Sequence, residues 1–145
     1  MIAFIKDFSL SLVIGTVINA ASTWLKSDFL IRFLENNLIT LLIALMAINT
    51  TTISVILTKL REISDKNNNS GFAGTVKAMR GSIVEQIGLI VAAVIVQVLK
   101  DSPSVLAIQP WLEFVIGSVV ITIFIKALQV LWDTANSVFV MLPYQ

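Results

Sequence analysis

Charged residues in this chain fall in short clusters separated by long uncharged runs. Phe8 to Leu25 carries no charge between Asp7 and Lys26, and Asn36 to Thr58 carries none between Glu35 and Lys59. A charged side chain at the centre of a spanning helix is disfavoured by roughly 2.5–3.5 kcal/mol on insertion scales. The gaps between clusters therefore mark the segments that hydrocarbon accepts, and both runs approach or exceed the ~20 residues a bilayer requires. A third run, Ser82 to Leu99, begins among polar residues, Glu85 and Gln86, and is then apolar from Ile87 to Val96. A short or tilted span is expected there. The fourth, Trp111 to Trp132, sets its two indoles about 32 Å apart at ~1.5 Å per residue, which matches the two aromatic belts of a membrane. The pattern predicts an all-α, polytopic transmembrane bundle of a single domain, residues 1–145, with four spans near 8–25, 36–58, 82–99 and 111–132.

The segments between the runs predict their own placement. Lys26 to Glu35 puts Phe29, Leu30, Phe33 and Leu34 on one helical face, the pattern of an interfacial helix. Lys59 to Gly81 is the main hydrophilic stretch, and its Asn67-Asn68-Asn69-Ser70-Gly71 run favours a turn. This gives an extramembrane loop at 59–81 carrying Lys59, Arg61, Lys66, Lys77 and Arg80. The connections around Lys26 and Lys100 hold fewer basic residues, so the positive-inside rule assigns the long loop to the cytoplasm. Four spans then leave both termini cytoplasmic, in the inner (cytoplasmic) membrane of a cell. Re-entrant third and fourth segments would remove the C-terminal assignment. Trp24-Leu25-Lys26 stands where a signal peptide has a small-residue cleavage site, so the first run reads as a retained span.

Composition agrees with this layout and narrows the chemistry. Hydrophobic residues make up 57% of the chain, charged residues 13%, and the mean hydropathy is +0.91, against roughly 25% charged in ordinary soluble domains. The chain has no cysteine and no histidine, which excludes thiol chemistry, imidazole bases and the common zinc sites. The carboxylates are dispersed with no pair at catalytic spacing on one helix face, and no nucleotide-binding or hydrolase motif occurs. No catalytic, cofactor or metal site is expected, and the chain is not expected to be an enzyme. A net charge of +1 gives no case for nucleic acid.

Polar residues inside the apolar runs are the more informative feature. Ser118, Thr122, Lys126, Gln129 and Asp133 follow at intervals of four, four, three and four, and so share one face of a helix. In the second run Thr40, Ala44, Ala47, Thr51, Ser54 and Thr58 form a heptad-like seam of small and hydroxyl side chains, while Asn49-Thr50-Thr51-Thr52 sits at mid-span. Ser9, Thr16, Asn19 and Thr23 share an arc of the first run, and Gln86, Ala93 and Gln97 share one of the third. Two explanations are open. Small and polar residues let helices approach and hydrogen-bond in lipid, with the threonines bonding back to carbonyls one turn earlier. Alternatively these faces line water, or Asn49 to Thr52 forms a break or constriction in a conduit. Intramembrane ionisable groups such as Lys126 usually face a bundle interior or a wet cavity, although a lysine near a span's end can also snorkel to the headgroups.

The length, the several spans and the basic, Asn- and Lys-containing loop leading into Gly71-Phe72-Ala73-Gly74 resemble the holins of phage lysis and toxin secretion. The likeness covers Leu38 to Lys100 at most. Two departures stand against it: Asn49-Thr50-Thr51 replaces the family's intramembrane Asp-Tyr pattern, and a highly charged C-terminal tail is missing. The architecture is also similar to the small four-span membrane subunits of bacterial anti-phage systems such as Kiwa, with no motif to carry that similarity.

The expected function is a homo-oligomeric pore or membrane-permeabilising assembly in the lipid bilayer. Its candidate polar or pore residues are Ser118, Thr122, Lys126, Gln129, Asp133, Asn49 and Thr51. The alternative is a membrane anchor or sensor that docks a cytosolic effector protein, with Lys59, Arg61, Lys66, Lys77 and Arg80 as candidate contacts for that partner or for lipid headgroups.

Overall fold

The first helix ends where its sequence supplies a cap. The amide of Ser27 donates to the Ser22 carbonyl (2.9 Å) and that of Lys26 to the Thr23 carbonyl (3.1 Å). This is the paired pattern of a Schellman termination, and Lys26 takes the left-handed conformation it requires (φ 51°). Asp28 then opens the next helix: its carbonyl accepts from the Arg32 amide, and its carboxylate pairs with the Arg32 guanidinium at 2.9 Å.

The computed structural model describes residues 2–67, 73–102 and 111–141, with side chains at 8–62, 74–102 and 111–137. These form four helices: α1 (Ile2–Trp24), α2 (Phe29–Asn67), α3 (Ala73–Lys100) and α4 (Trp111–Met141), with no strand among the described residues. Helices α2, α3 and α4 are each long and apolar enough to cross a bilayer; the apolar part of α1 with described side chains, Phe8–Trp24, is shorter. The chain is thus an all-helical integral membrane protein.

Two boundaries differ from the sequence expectation. Lys26 to Glu35 is not a separate interfacial helix, because α2 runs unbroken from Phe29 to Asn67. Nothing between Glu35 and Leu38 breaks a helix, the Asn37 side chain bonds back to the Phe33 carbonyl, and Leu34 and Leu38 are buried in the core. Likewise most of 59–81 is helical: α2 continues to Asn67 and α3 begins at Ala73, so only 68–72, outside the described residues, connects them. Hydrophilic composition here does not end the helix. Ile53, Ile56 and Leu60 of α2 pack with Met79 and Ile83 of α3 and hold the extended hairpin together.

Helix α4 is the central element, packed against all three others. In its most apolar stretch 56% of residues are buried, against 22% for α2 and 17% for α3, whose large aliphatic side chains face outward. The main core joins Leu34, Leu38 and Leu42 of α2, Leu89 and Ala93 of α3, and Val120, Ile121, Ile123 and Ala127 of α4. Helix α1 packs chiefly on α4, so the side of α4 between α1 and α3 is left partly open.

Candidate functional site

The polar stripe of α4 is divided between two neighbours. Toward the Trp111 end, Asn19 of α1 donates from Nδ2 to the Phe114 carbonyl (2.7 Å) and to Ser118 Oγ (2.9 Å). Thr122 is buried one turn further on and back-bonds to the Ser118 carbonyl. Gly15 makes this approach possible: a Cβ there would lie 3.0 Å from the Thr122 amide nitrogen and 3.1 Å from the Ser118 carbonyl oxygen, with Thr122 Oγ1 closer still. Gly117 does the same for Asn19, whose Nδ2 would be 3.2 Å from a Cβ. Ser118 and Thr122 therefore lie in the α1–α4 contact. Gln129 lies one step along it, its Oε1 accepting from Ser11 Oγ at 2.7 Å.

Lys126 meets a partner from another helix. It is only 5% exposed, and its Nζ stands 3.2 Å from Oε1 of Glu85 on α3. That distance gives charge attraction, yet Oε1 accepts no aligned hydrogen bond. Lys126 is six residues short of Trp132 on α4, about 9 Å along the axis, too deep for either ion to be left alone. Within the chain the ammonium faces Glu85 across the α3–α4 contact. Asp133, two turns from Lys126, is exposed.

The polar layer continues to α2. Asn49, fully buried, donates from Nδ2 to Gln86 Oε1 (2.9 Å) and Ser82 Oγ (3.2 Å), and Ser82 shares a hydrogen bond with Thr134 of α4 (3.3 Å). Thr51 and Thr52 are bonded back to the carbonyls of Ala47 and Ile48, and the helix is continuous through this segment with no local break. Thr51 faces outward with the rest of the small-residue seam. Asn19 Oδ1, Asn49 Oδ1 and Gln86 Nε2 are buried without a hydrogen bond, so the layer is incompletely satisfied. At the Trp111 end Glu35 pairs with Lys100, and Gln97 donates to the Glu35 carbonyl (2.9 Å).

A crevice of about 730 Å³ opens beside Lys126. Its walls come from α3 (Thr75, Met79, Ser82, Glu85, Gly88) and α4 (Lys126, Val130, Asp133, Thr134, Ser137), with Phe8 of α1 at its edge. Adding Cβ atoms at Gly81 or Gly88 on its α3 wall would meet nothing within 4 Å. Charged and hydroxyl groups thus converge in a largely apolar recess.

No family model, curated protein or solved structure matches this chain. The functional reading rests on the site itself.

Of the loop cations, Lys59, Arg61, Lys77 and Arg80 are exposed, with Lys59 paired to Glu62 at 2.8 Å. Lys66 lies in the last turns of α2, where side chains are not described. No group of three or more Asp, Glu, His or Cys that would hold a metal is found among the described residues. The sequence reading left Glu85, Ser82, Thr134, Ser11 and Asn19 out of its site. For Glu85 a signal existed: a carboxylate inside an apolar run calls for an opposite charge on another span, and Lys126 is the basic residue inside the fourth run.

Proposed function

We propose that the chain acts by self-association into an assembly that makes a membrane permeable to small ions, a holin-like or anti-phage type of effector. The observation that carries this reading is the Lys126–Glu85 pair at the floor of a crevice lined by hydroxyl and carboxylate side chains, within helices otherwise built for hydrocarbon. Desolvated ions of this kind are disfavoured unless paired or wetted, and in membrane proteins they mark polar paths. Ser118 and Thr122 are taken up by α1 within one chain, so a continuous path needs copies placed side by side.

The proposed setting is the inner membrane, with four spans, cytoplasmic termini and the α2–α3 hairpin on the cytoplasmic side. No catalytic role is proposed. The test is ion flux from liposomes containing the purified chain, with membrane potential followed in expressing cells. Release is expected from the unaltered protein and altered rates from Lys126→Ala and Gln129→Leu; liposomes that stay tight under all conditions refute the reading. Impermeant maleimide labelling of single cysteines at Arg61 and at Ser27 tests the orientation, and labelling of both from the same side overturns it.

One observation favours a second reading. The α2–α3 hairpin extends past the polar layer as a packed helical pair carrying exposed Lys59, Arg61, Lys77 and Arg80, a rigid platform for a cytosolic effector. An inert chain that retains one defined soluble protein, and loses it when these four are changed to Glu, would support the anchor role instead.

A further inference from the structure

We infer that the crevice between α3 and α4 is a binding site for an amphiphile bearing an ammonium group, either an aminophospholipid or a free long-chain amine. Its volume of about 730 Å³ falls in the roughly 300–1,000 Å³ range of small-molecule sites, which are mostly apolar with a few convergent polar groups. Glu85, Lys126 and Asp133 together carry one net negative charge, and Lys126 already faces Glu85. Among the described lining residues, an anion entering here would meet two carboxylates against one ammonium. A cation would be attracted, and more strongly than in water because the walls are apolar.

Two further observations select an ammonium on an apolar tail over a bare inorganic cation. Asp133 is exposed, and no described basic side chain lies within ion-pair distance of it; Glu85 keeps part of its carboxylate open while its buried Oε1 faces Lys126. An ammonium offers three N–H donors to the exposed Asp133 carboxylate and to the partly exposed Glu85 and Ser82. The rest of the recess is apolar, and at Gly81 and Gly88 the α3 backbone is bare, with open space where a side chain would stand. A hydrocarbon tail can lie flush against that surface, whereas a hydrated ion would leave it uncovered. The crevice runs from Lys126 past the level of Trp132 to Ser137, so an amphiphile reaches it with its tail on the Lys126 side and its head toward the aqueous edge.

This inference stands apart from ion permeation, because its test reads binding. The full chain, purified in a neutral maltoside, is incubated with dodecylamine, dodecanol or dodecanoate, and separately with phosphatidylethanolamine or phosphatidylglycerol, and retained ligand is measured by native mass spectrometry. Dodecylammonium should be retained in preference to the alcohol and the carboxylate. Additional preference for phosphatidylethanolamine over phosphatidylglycerol identifies the lipid headgroup as a source, and no such preference assigns the site to free amines. Asp133→Asn should weaken amine retention roughly tenfold through loss of a charge-assisted contact. Gly88→Leu, which fills open space without touching a charge, should weaken it comparably, while Asp28→Asn in the exposed Arg32 pair should not. Equal retention of amine and carboxylate by the unaltered chain overturns the inference, as does full amine retention by both crevice variants.

Discussion

Glu85 and Lys126, forty-one positions apart in the chain, face each other 3.2 Å apart across the α3–α4 contact. Neither tolerates this depth alone. Removing one partner of a buried pair typically destabilises by about 3–5 kcal/mol, whereas replacing both by apolar groups is often neutral or stabilising. The Glu85 side chain retains 25% exposure, so Lys126→Met alone should lower stability toward the bottom of that range. The double variant Lys126→Met with Glu85→Leu should recover most of it. Unfolding in mixed detergent measures both, and a double variant as unstable as the single one would show that the pair is not the coupled unit described.

Gly15 sets how closely α1 can lie on α4. A β-carbon at this position meets Thr122 and the Ser118 carbonyl, groups that cannot move without shifting helix backbone. Gly15→Val is therefore expected to destabilise by roughly 1–3 kcal/mol, the usual range for overpacking. It should also loosen α1 specifically. Because the chain has no native cysteine, a bifunctional thiol reagent applied to cysteines at Ser11 and Gln129 reports this contact directly. Cross-linking should fall in the Gly15→Val background, while a cysteine pair at Asn49 and Gln86, across α2 and α3, should be unaffected.

Much of this arrangement could be read from spacing. Uncharged runs locate the helices because charge is excluded from hydrocarbon, and the four-four-three-four stripe on α4 picks out buried Ser118, Thr122 and Lys126, although Asp133 at its end is exposed and Val120, Ile121 and Ile123 off the stripe are buried as well. The face was legible; its neighbours were not. Ser118 meets Asn19 and Lys126 meets Glu85 through packing between distant helices, which periodicity along one helix does not encode. The boundaries failed for a different reason. Leu60-Arg61-Glu62 and Lys77-Ala78-Met79 are polar or mixed but good helix formers, so the change in composition did not end either helix. The α2 seam shows the converse limit. Its pattern is clear in sequence, but the core is built from the other side of the helix, from Leu34, Leu38, Leu42 and Asn49.

Lys26 occupies a position where glycine is the usual residue. Its left-handed conformation (φ 51°) carries a Cβ penalty that glycine lacks, and its side chain is exposed. Lys26→Gly should raise stability by about 1 kcal/mol while preserving the Ser27 and Lys26 amide bonds that close α1. Lys26→Val, β-branched and poorly suited to positive φ, should move it in the opposite direction. Thermal unfolding in one detergent compares the three proteins, and a destabilised glycine variant would count against the Schellman termination.

The small-residue seam on α2 is exposed in the single chain at Thr40, Ala44, Ala47, Thr51, Ser54 and Thr58. The hydroxyls of Thr51, Ser54 and Thr58 already bond to carbonyls four residues earlier, so from Ala44 to Thr58 the seam presents methyl and methylene surface. Beside it, a recess of about 640 Å³ runs between α2 and α3, bordered by Ala47, Thr51, Ser54, Ile87 and Val91. Lipid tails fill such a recess less completely than a facing helix does, and close approach through small residues is the main source of helix association in bilayers. If copies assemble through this surface, Ala47→Leu should weaken self-association about tenfold, equal to ~1.4 kcal/mol, without unfolding the monomer, since the site is exposed. Val98→Ala, on an exposed part of α3 outside the recess, should leave association unchanged. Concentration-dependent energy transfer between labelled copies in liposomes gives the association constant. Weakening by Ala47→Leu together with loss of ion release would tie the seam to the permeabilising assembly, and unaltered association would place the contact between copies elsewhere.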